Sequence, residues 1–84
     1  MDTRTRHGSG TGELQLLIDE LFESSESVSS IDVIVRAEID DLGPEVMEVV
    51  ELLPAGTYRR GRLCDQLNSI ITAHGWGLTL GTVD

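Results

Sequence analysis

The 84-residue chain lacks lysine and holds a single cysteine, two prolines and three aromatic residues. Because Cys64 is the only cysteine, the chain forms no internal disulfide. Its place in an apolar pattern predicts a buried thiol, and a lone thiol is typical of a reducing compartment. No apolar run approaches the roughly 18 residues that span a bilayer. We therefore expect a cytoplasmic protein that does not associate with membranes. Its acidity is common among bacterial proteins.

Histidine and cysteine are too few for the usual metal and catalytic sites. Zinc needs three or four ligands, whereas the chain offers one cysteine and the distant His7 and His74. A serine or cysteine nucleophile requires a positioned base, which neither histidine is placed to supply. The glycines follow no phosphate-loop pattern with a lysine. We expect no enzymatic activity, no cofactor, no metal and no small-molecule substrate.

The chain's most informative positive feature is an uneven distribution of charge. Residues 13–53 hold twelve acidic residues and one base, Arg36, whereas residues 54–84 hold three arginines and two acidic residues. The formal net charge of −9 repels the phosphates of nucleic acid and anionic lipid, and it favours basic partners. Charge therefore indicates interaction with proteins before any other function.

Composition also sets the domain organisation. Residues 1–12 are rich in glycine and show no apolar period, which predicts a disordered N-terminal tail. Residues 13–84 are enough for a single small globular domain. The patterns predict an α+β fold with about three helices and a short two-stranded sheet, and the alternative is an all-α helical bundle.

Helical periodicity marks three segments. Residues 13–24 and 44–53 each place apolar residues three and four positions apart, as an amphipathic helix does. A third helix is predicted from Thr57, as its N-cap, to His74. The apolar residues of the first two stripes are Leu14, Leu17, Ile18, Leu21, Phe22, Val46, Val49, Val50 and Leu53.

Residues 31–39 alternate apolar with mostly polar residues and are rich in β-branched side chains, which favours a half-buried strand. The competing interpretation is a helix capped by Ser30, in which Glu38 would share a face with the apolar residues Ile31, Ile34, Val35 and Leu42. A second, edge strand is predicted in the short apolar segment at residues 78–80.

Two charged groups are candidates for binding. Glu45, Glu48 and Glu51 recur every three residues and predict an acidic ridge along one helix. Three arginines stand near the start of the last predicted helix, where cations oppose the helix dipole unless acids or phosphates receive them. Two aromatic residues are candidate anchors for an interface. The candidate interaction residues are Tyr58, Arg59, Arg60, Arg62, Trp76, Glu45, Glu48 and Glu51.

The function that these features favour is a small acidic interaction or regulatory module that binds another protein or a second copy of itself. In a self-associating module, the acidic ridge of one copy would receive the arginines of the next. Pairing within the chain is the simpler alternative, because Asp65 lies three residues after Arg62.

Nucleic acid is the less favoured partner. Residues 44–74 resemble the helix-turn-helix of DNA-binding proteins, with residues 54–57 as the turn. That resemblance implies that Arg59, Arg60 and Arg62 contact phosphates or guanine edges. A further alternative is an acidic mimic of nucleic acid, which would bind a DNA-binding protein and not DNA.

Overall fold

A computed structural model describes residues 10–75 and 81–84 of the chain. Within these residues the chain forms four helices and two strands, so the predicted α+β class is confirmed and the all-α alternative is wrong. The elements in chain order are α1 (Gly10–Leu21), β1 (Ser27–Ser29), α2 (Ser30–Ile39), α3 (Pro44–Glu51), β2 (Thr57–Arg59) and α4 (Arg60–Ala73).

The two strands form an antiparallel ribbon in which Val28 lies opposite Tyr58. Both of these side chains are buried, with exposed fractions of 5% and 9%. The Tyr58 hydroxyl donates a hydrogen bond of 2.6 Å to the carbonyl oxygen of Pro54. Each strand leads directly into a helix, and because the strands are antiparallel, α2 and α4 leave from opposite ends of the ribbon.

The prediction of a strand over residues 31–39 is wrong, because this segment is helix α2. A capping box begins the helix: the Ser29 hydroxyl accepts from the Asp32 N–H at 3.0 Å, and the Asp32 carboxylate accepts from the Ser29 N–H at 2.9 Å. A cap of this kind contributes about 1 kcal/mol to stability. The buried face consists of Ser30, Val33 and Ala37, at helical spacing. The apolar alternation arose because apolar residues occupy both the inner and the outer face of this helix.

The observed starts of two helices differ from the predicted ones. Helix α1 begins at Gly10, so the last three residues of the predicted tail, 10–12, are helical, because helix formation extends from the packed segment into the glycines. Helix α4 begins at Arg60, and Thr57 is not its cap, because residues 57–59 pair with β1 instead. The rest of the predicted tail, residues 1–9, and the predicted strand at 78–80 lie outside the described residues.

The core lies between the inner faces of the helices and the ribbon. Cys64 is buried with it, as predicted, and burial raises the pKa of its thiol. Near the C-terminus, Val83 is also buried, and the Asn68 amide exchanges two hydrogen bonds with the Val83 backbone at 2.8 and 2.9 Å. The largest fully buried side chains are Leu14, Leu17, Ile18, Val33, Val46, Val49, Val50, Leu63, Leu67 and Ile71.

Candidate protein-interaction site

The acidic ridge consists of Glu45, Glu48 and Glu51, which the structure places exposed along α3. Their positions follow from the opposite face of the helix, where three valines are fully buried. Pro44 at the first helical position and Glu45 in the first turn both suit the start of a helix. No residue in the described ranges forms an ion pair with the ridge, so its carboxylates face solvent.

Arg60 is paired inside the chain, but not with Asp65. Its Nη2 atom lies 2.5 Å from Asp19 Oδ1 and 3.0 Å from the carbonyl oxygen of Asp84. Gln15 joins the same group, donating to Asp19 at 3.2 Å and to the Asp84 carbonyl at 2.7 Å. Arg60 therefore ties the start of α4 to α1 and to the last residue, and it is not available as a primary docking group.

The Arg60 pair gives the protein a specific sensitivity to acid. The hydrogen bond from Arg60, with a further one from Gln15, lowers the pKa of Asp19 below its ordinary value of 3.8. A lowered pKa in the folded state gives stability that is present above the unfolded-state pKa and is lost as pH falls through the folded-state pKa.

The wild type should lose thermal stability as the pH falls from about 5 to about 2, and we expect the Asp19→Asn variant to lose less over the same range. Asp65→Asn is the matched control, because no ion pair of Asp65 occurs in the described parts of the chain. Thermal unfolding followed by circular dichroism measures both. Identical pH profiles for the wild type and Asp19→Asn would contradict the assignment.

Arg59 and Arg62, here called the free arginine pair, are exposed and have no carboxylate partner in the part of the chain that the structure describes. They stand at the first turn of α4, which has no side-chain cap and no acidic residue. Two guanidinium charges therefore add to the positive end of the helix dipole without a compensating acid. Arg60 was predicted to act with these two arginines, but its pairing with Asp19 separates it from them.

The free arginine pair is far from the C-terminal part of the acidic ridge. Glu48 and Glu51 line a shallow depression together with Leu52 and His74, and His74 is the C-cap of α4. Helix α4 has 14 residues, so its two ends lie about 20 Å apart. That distance is several times the reach of an ion pair, so these opposite charges do not neutralise one another within one chain.

The two aromatic candidates have different outcomes. Tyr58 is buried against the core and is not an exposed anchor. The sequence did not predict the burial of Tyr58, because residues 57–59 were predicted to begin a helix and not to form a strand. Trp76 lies outside the described residues.

The predicted helix-turn-helix geometry does not form. Eight residues, 52–59, separate α3 from α4, and three of them are strand β2. Arg59 is the N-cap of α4 and pairs with Ser27 of β1. The arginines therefore do not enter a helix after a short turn, which the resemblance required.

A second surface, on α2, was not predicted from the sequence. Ile31, Val35 and Ile39 are exposed along the outer side of that helix. Their spacing of four residues was visible in the sequence, but it signals a helix stripe only if the segment is helical.

Comparison with protein-family models, with curated proteins and with solved structures found no match to this chain. Over residues 10–75 and 81–84, no three histidine, cysteine or acidic side chains are placed to hold a metal ion. No helix in the same residues is long and apolar enough to cross a bilayer.

Proposed function

We propose that this chain is a small, acidic, non-enzymatic interaction module that associates with copies of itself head to tail. The acidic ridge of one copy receives the free arginine pair of the next. One observation supports this above all: both groups are exposed and lack ion-pair partners in the described residues. Helix α4, about 20 Å long, carries the arginines at its start and ends at His74, beside Glu48 and Glu51.

The chemistry of the two groups is complementary. A carboxylate at the start of α4 gains both from the guanidinium groups and from the helix dipole. The two surfaces differ, so the contact is heterologous and builds open chains unless the rotation between copies closes a ring. The net charge of −9 opposes association at long range, so the contact is local and sensitive to salt.

Sedimentation equilibrium of the wild-type protein at about 20 mM and about 300 mM salt tests this proposal. We expect weight-average mass to rise with protein concentration at low salt and to fall steeply at the higher salt, because exposed ion pairs are screened. A species that stays monomeric at both salts, or an oligomer indifferent to salt, would contradict the mechanism.

Nucleic acid is the competing ligand for the free arginine pair, since unpaired guanidinium groups at a helix N-terminus also suit phosphate. Fluorescence anisotropy with labelled duplex DNA separates the two proposals. Binding that saturates at physiological salt, and that requires Arg59 and Arg62, would favour DNA over a second copy.

A cytoplasmic location belongs to the same proposal. The single thiol, on Cys64, is buried and unpaired, which fits a reducing compartment.

A further inference from the structure

Helix α2 has an apolar row on the side that faces away from the core. Ile31, Val35 and Ile39 follow one another at four-residue spacing, with exposed fractions of 68%, 45% and 67%. Residues four apart stand one above another on a helix, so the three side chains form a continuous stripe. Scattered exposed leucines and isoleucines are ordinary on protein surfaces, whereas a contiguous row is a candidate contact surface.

An open groove lies beside this row. It has a volume of about 630 Å³ and runs between the end of α1 and the outer side of α2. Val35 and Ile39 contribute to one wall, and Leu21 and Val28 complete the apolar lining. The other six lining residues are polar or charged, so a helix docked here would need an aliphatic face toward Val35 and Ile39 and a polar or charged edge.

The surroundings of the groove are negatively charged. Arg36 Nε lies 3.4 Å from Glu20 Oε1 and 3.5 Å from Asp40 Oδ1, so two carboxylates share one guanidinium. A hydrogen bond between the Glu20 and Asp40 side chains raises the pKa of Glu20, and desolvation and the negative charge of Asp40 raise it further. Glu23 and Asp32 add two more acids to the lining, and among the described residues Arg36 is the one base that lines the groove.

We propose that this groove binds an amphipathic helix of another protein, with aliphatic residues on one face and arginine or lysine at its edge. The aliphatic residues pack against Val35 and Ile39, and a basic side chain reaches Glu23, an exposed acid of the lining that has no ion-pair partner in the described residues. The inference rests on the proposed function in treating the chain as an interaction module, but it uses a different surface.

Other occupants fit less well. Groove-to-groove contact between two copies would bring their acidic linings together, with Glu23 and Asp32 facing like charges. The free arginine pair stands at the start of α4, whose nearby exposed face, including Asp65 and Ser69, is polar and offers no aliphatic side chains to pack against Val35 and Ile39. Residues 1–9 contain two arginines, but Met1 is their only apolar residue.

The test uses the full chain and a fluorescein-labelled peptide of about 18 residues, long enough to form a helix. The peptide has leucine three and four positions apart on one face and arginine beside them. A second peptide has the same composition with the leucines scrambled, and a third has glutamate in place of arginine. Fluorescence anisotropy at physiological salt measures the affinity for each peptide.

The protein variants each trim exposed aliphatic side chains to alanine. The double variant Val35→Ala and Ile39→Ala trims the groove wall without altering charge, and alanine favours helix. The control variant, Leu16→Ala, trims an exposed leucine that lies outside both the groove lining and the depression beside the acidic ridge. Circular dichroism verifies that both remain folded.

We expect the amphipathic peptide to bind at least about tenfold more tightly than the scrambled one, and the groove variant to lose about tenfold in affinity. The control variant should bind as the wild type does. Equal binding of the amphipathic and scrambled peptides would overturn the proposal, since charge alone would then explain it.

Two further results would also overturn it. Equal binding of the glutamate peptide would exclude a basic partner, and loss of self-association in the groove variant would make a second copy the occupant. A variant with Arg59→Ser and Arg62→Ser should bind the peptide normally. Failure of head-to-tail association therefore leaves this test unaffected.

Discussion

Replacing Tyr58 by alanine should lower the free energy of unfolding by about 3 to 5 kcal/mol, as truncation of a buried aromatic ring does. The ring packs in the core opposite Val28, and its hydroxyl satisfies the Pro54 carbonyl. A domain of this size has a total stability of about 4 to 12 kcal/mol, so the variant will be close to unfolding.

Urea denaturation followed by circular dichroism measures this effect. Tyr58→Phe is the matched control: it keeps the ring and removes the 2.6 Å hydrogen bond, at an expected cost of about 1 kcal/mol. A Tyr58→Ala protein of near wild-type stability that had lost partner binding would contradict the structural role. It would restore Tyr58 as an interface anchor.

The second large effect is on self-association. The double variant Arg59→Ser and Arg62→Ser should associate at least about tenfold more weakly than the wild type at low salt, because the ridge then meets no cation. Both side chains are exposed and unpaired in the described residues, so their removal should leave the fold intact.

The control must match the change in net charge. Ser69→Glu with Thr72→Glu also lowers the net charge by two, on exposed positions of the same helix. Sedimentation equilibrium compares the two. Equal weakening in both variants would show that general repulsion, rather than contact with the free arginine pair, controls the association.

The sequence predicted those features of the fold that depend on local periodicity. The apolar stripes of α1, α3 and α4 and the acidic ridge all follow from spacings of three and four residues. For residues 31–39 the strand was favoured over the competing helix because apolar residues on the outer face of α2, such as Val35, produce an alternation typical of a strand. The capping box of Ser29 and Asp32 was visible in the sequence and would have favoured the helix.

Pairings between distant residues could not be predicted in the same way. Strands β1 and β2 have three residues each, too few for a period, and their central pair joins Val28 to Tyr58 across 30 residues. The partner of Arg60 is Asp19, 41 residues away, whereas the nearby Asp65 was the obvious candidate. The chain has more than a dozen acidic residues, and charge alone does not identify which of them pairs with a given arginine. It therefore also does not identify which arginines have no acidic partner.

Mixing two charge-reversed variants tests head-to-tail association most directly. One variant has Arg59→Glu and Arg62→Glu, and the other has Glu45→Arg, Glu48→Arg and Glu51→Arg. Sedimentation equilibrium at low salt measures each alone and then the equimolar mixture. Head-to-tail association predicts that each variant associates weakly alone and that the mixture associates strongly, because each variant retains the group that the other has lost. A mixture that remains as dissociated as its components would contradict this mode of association.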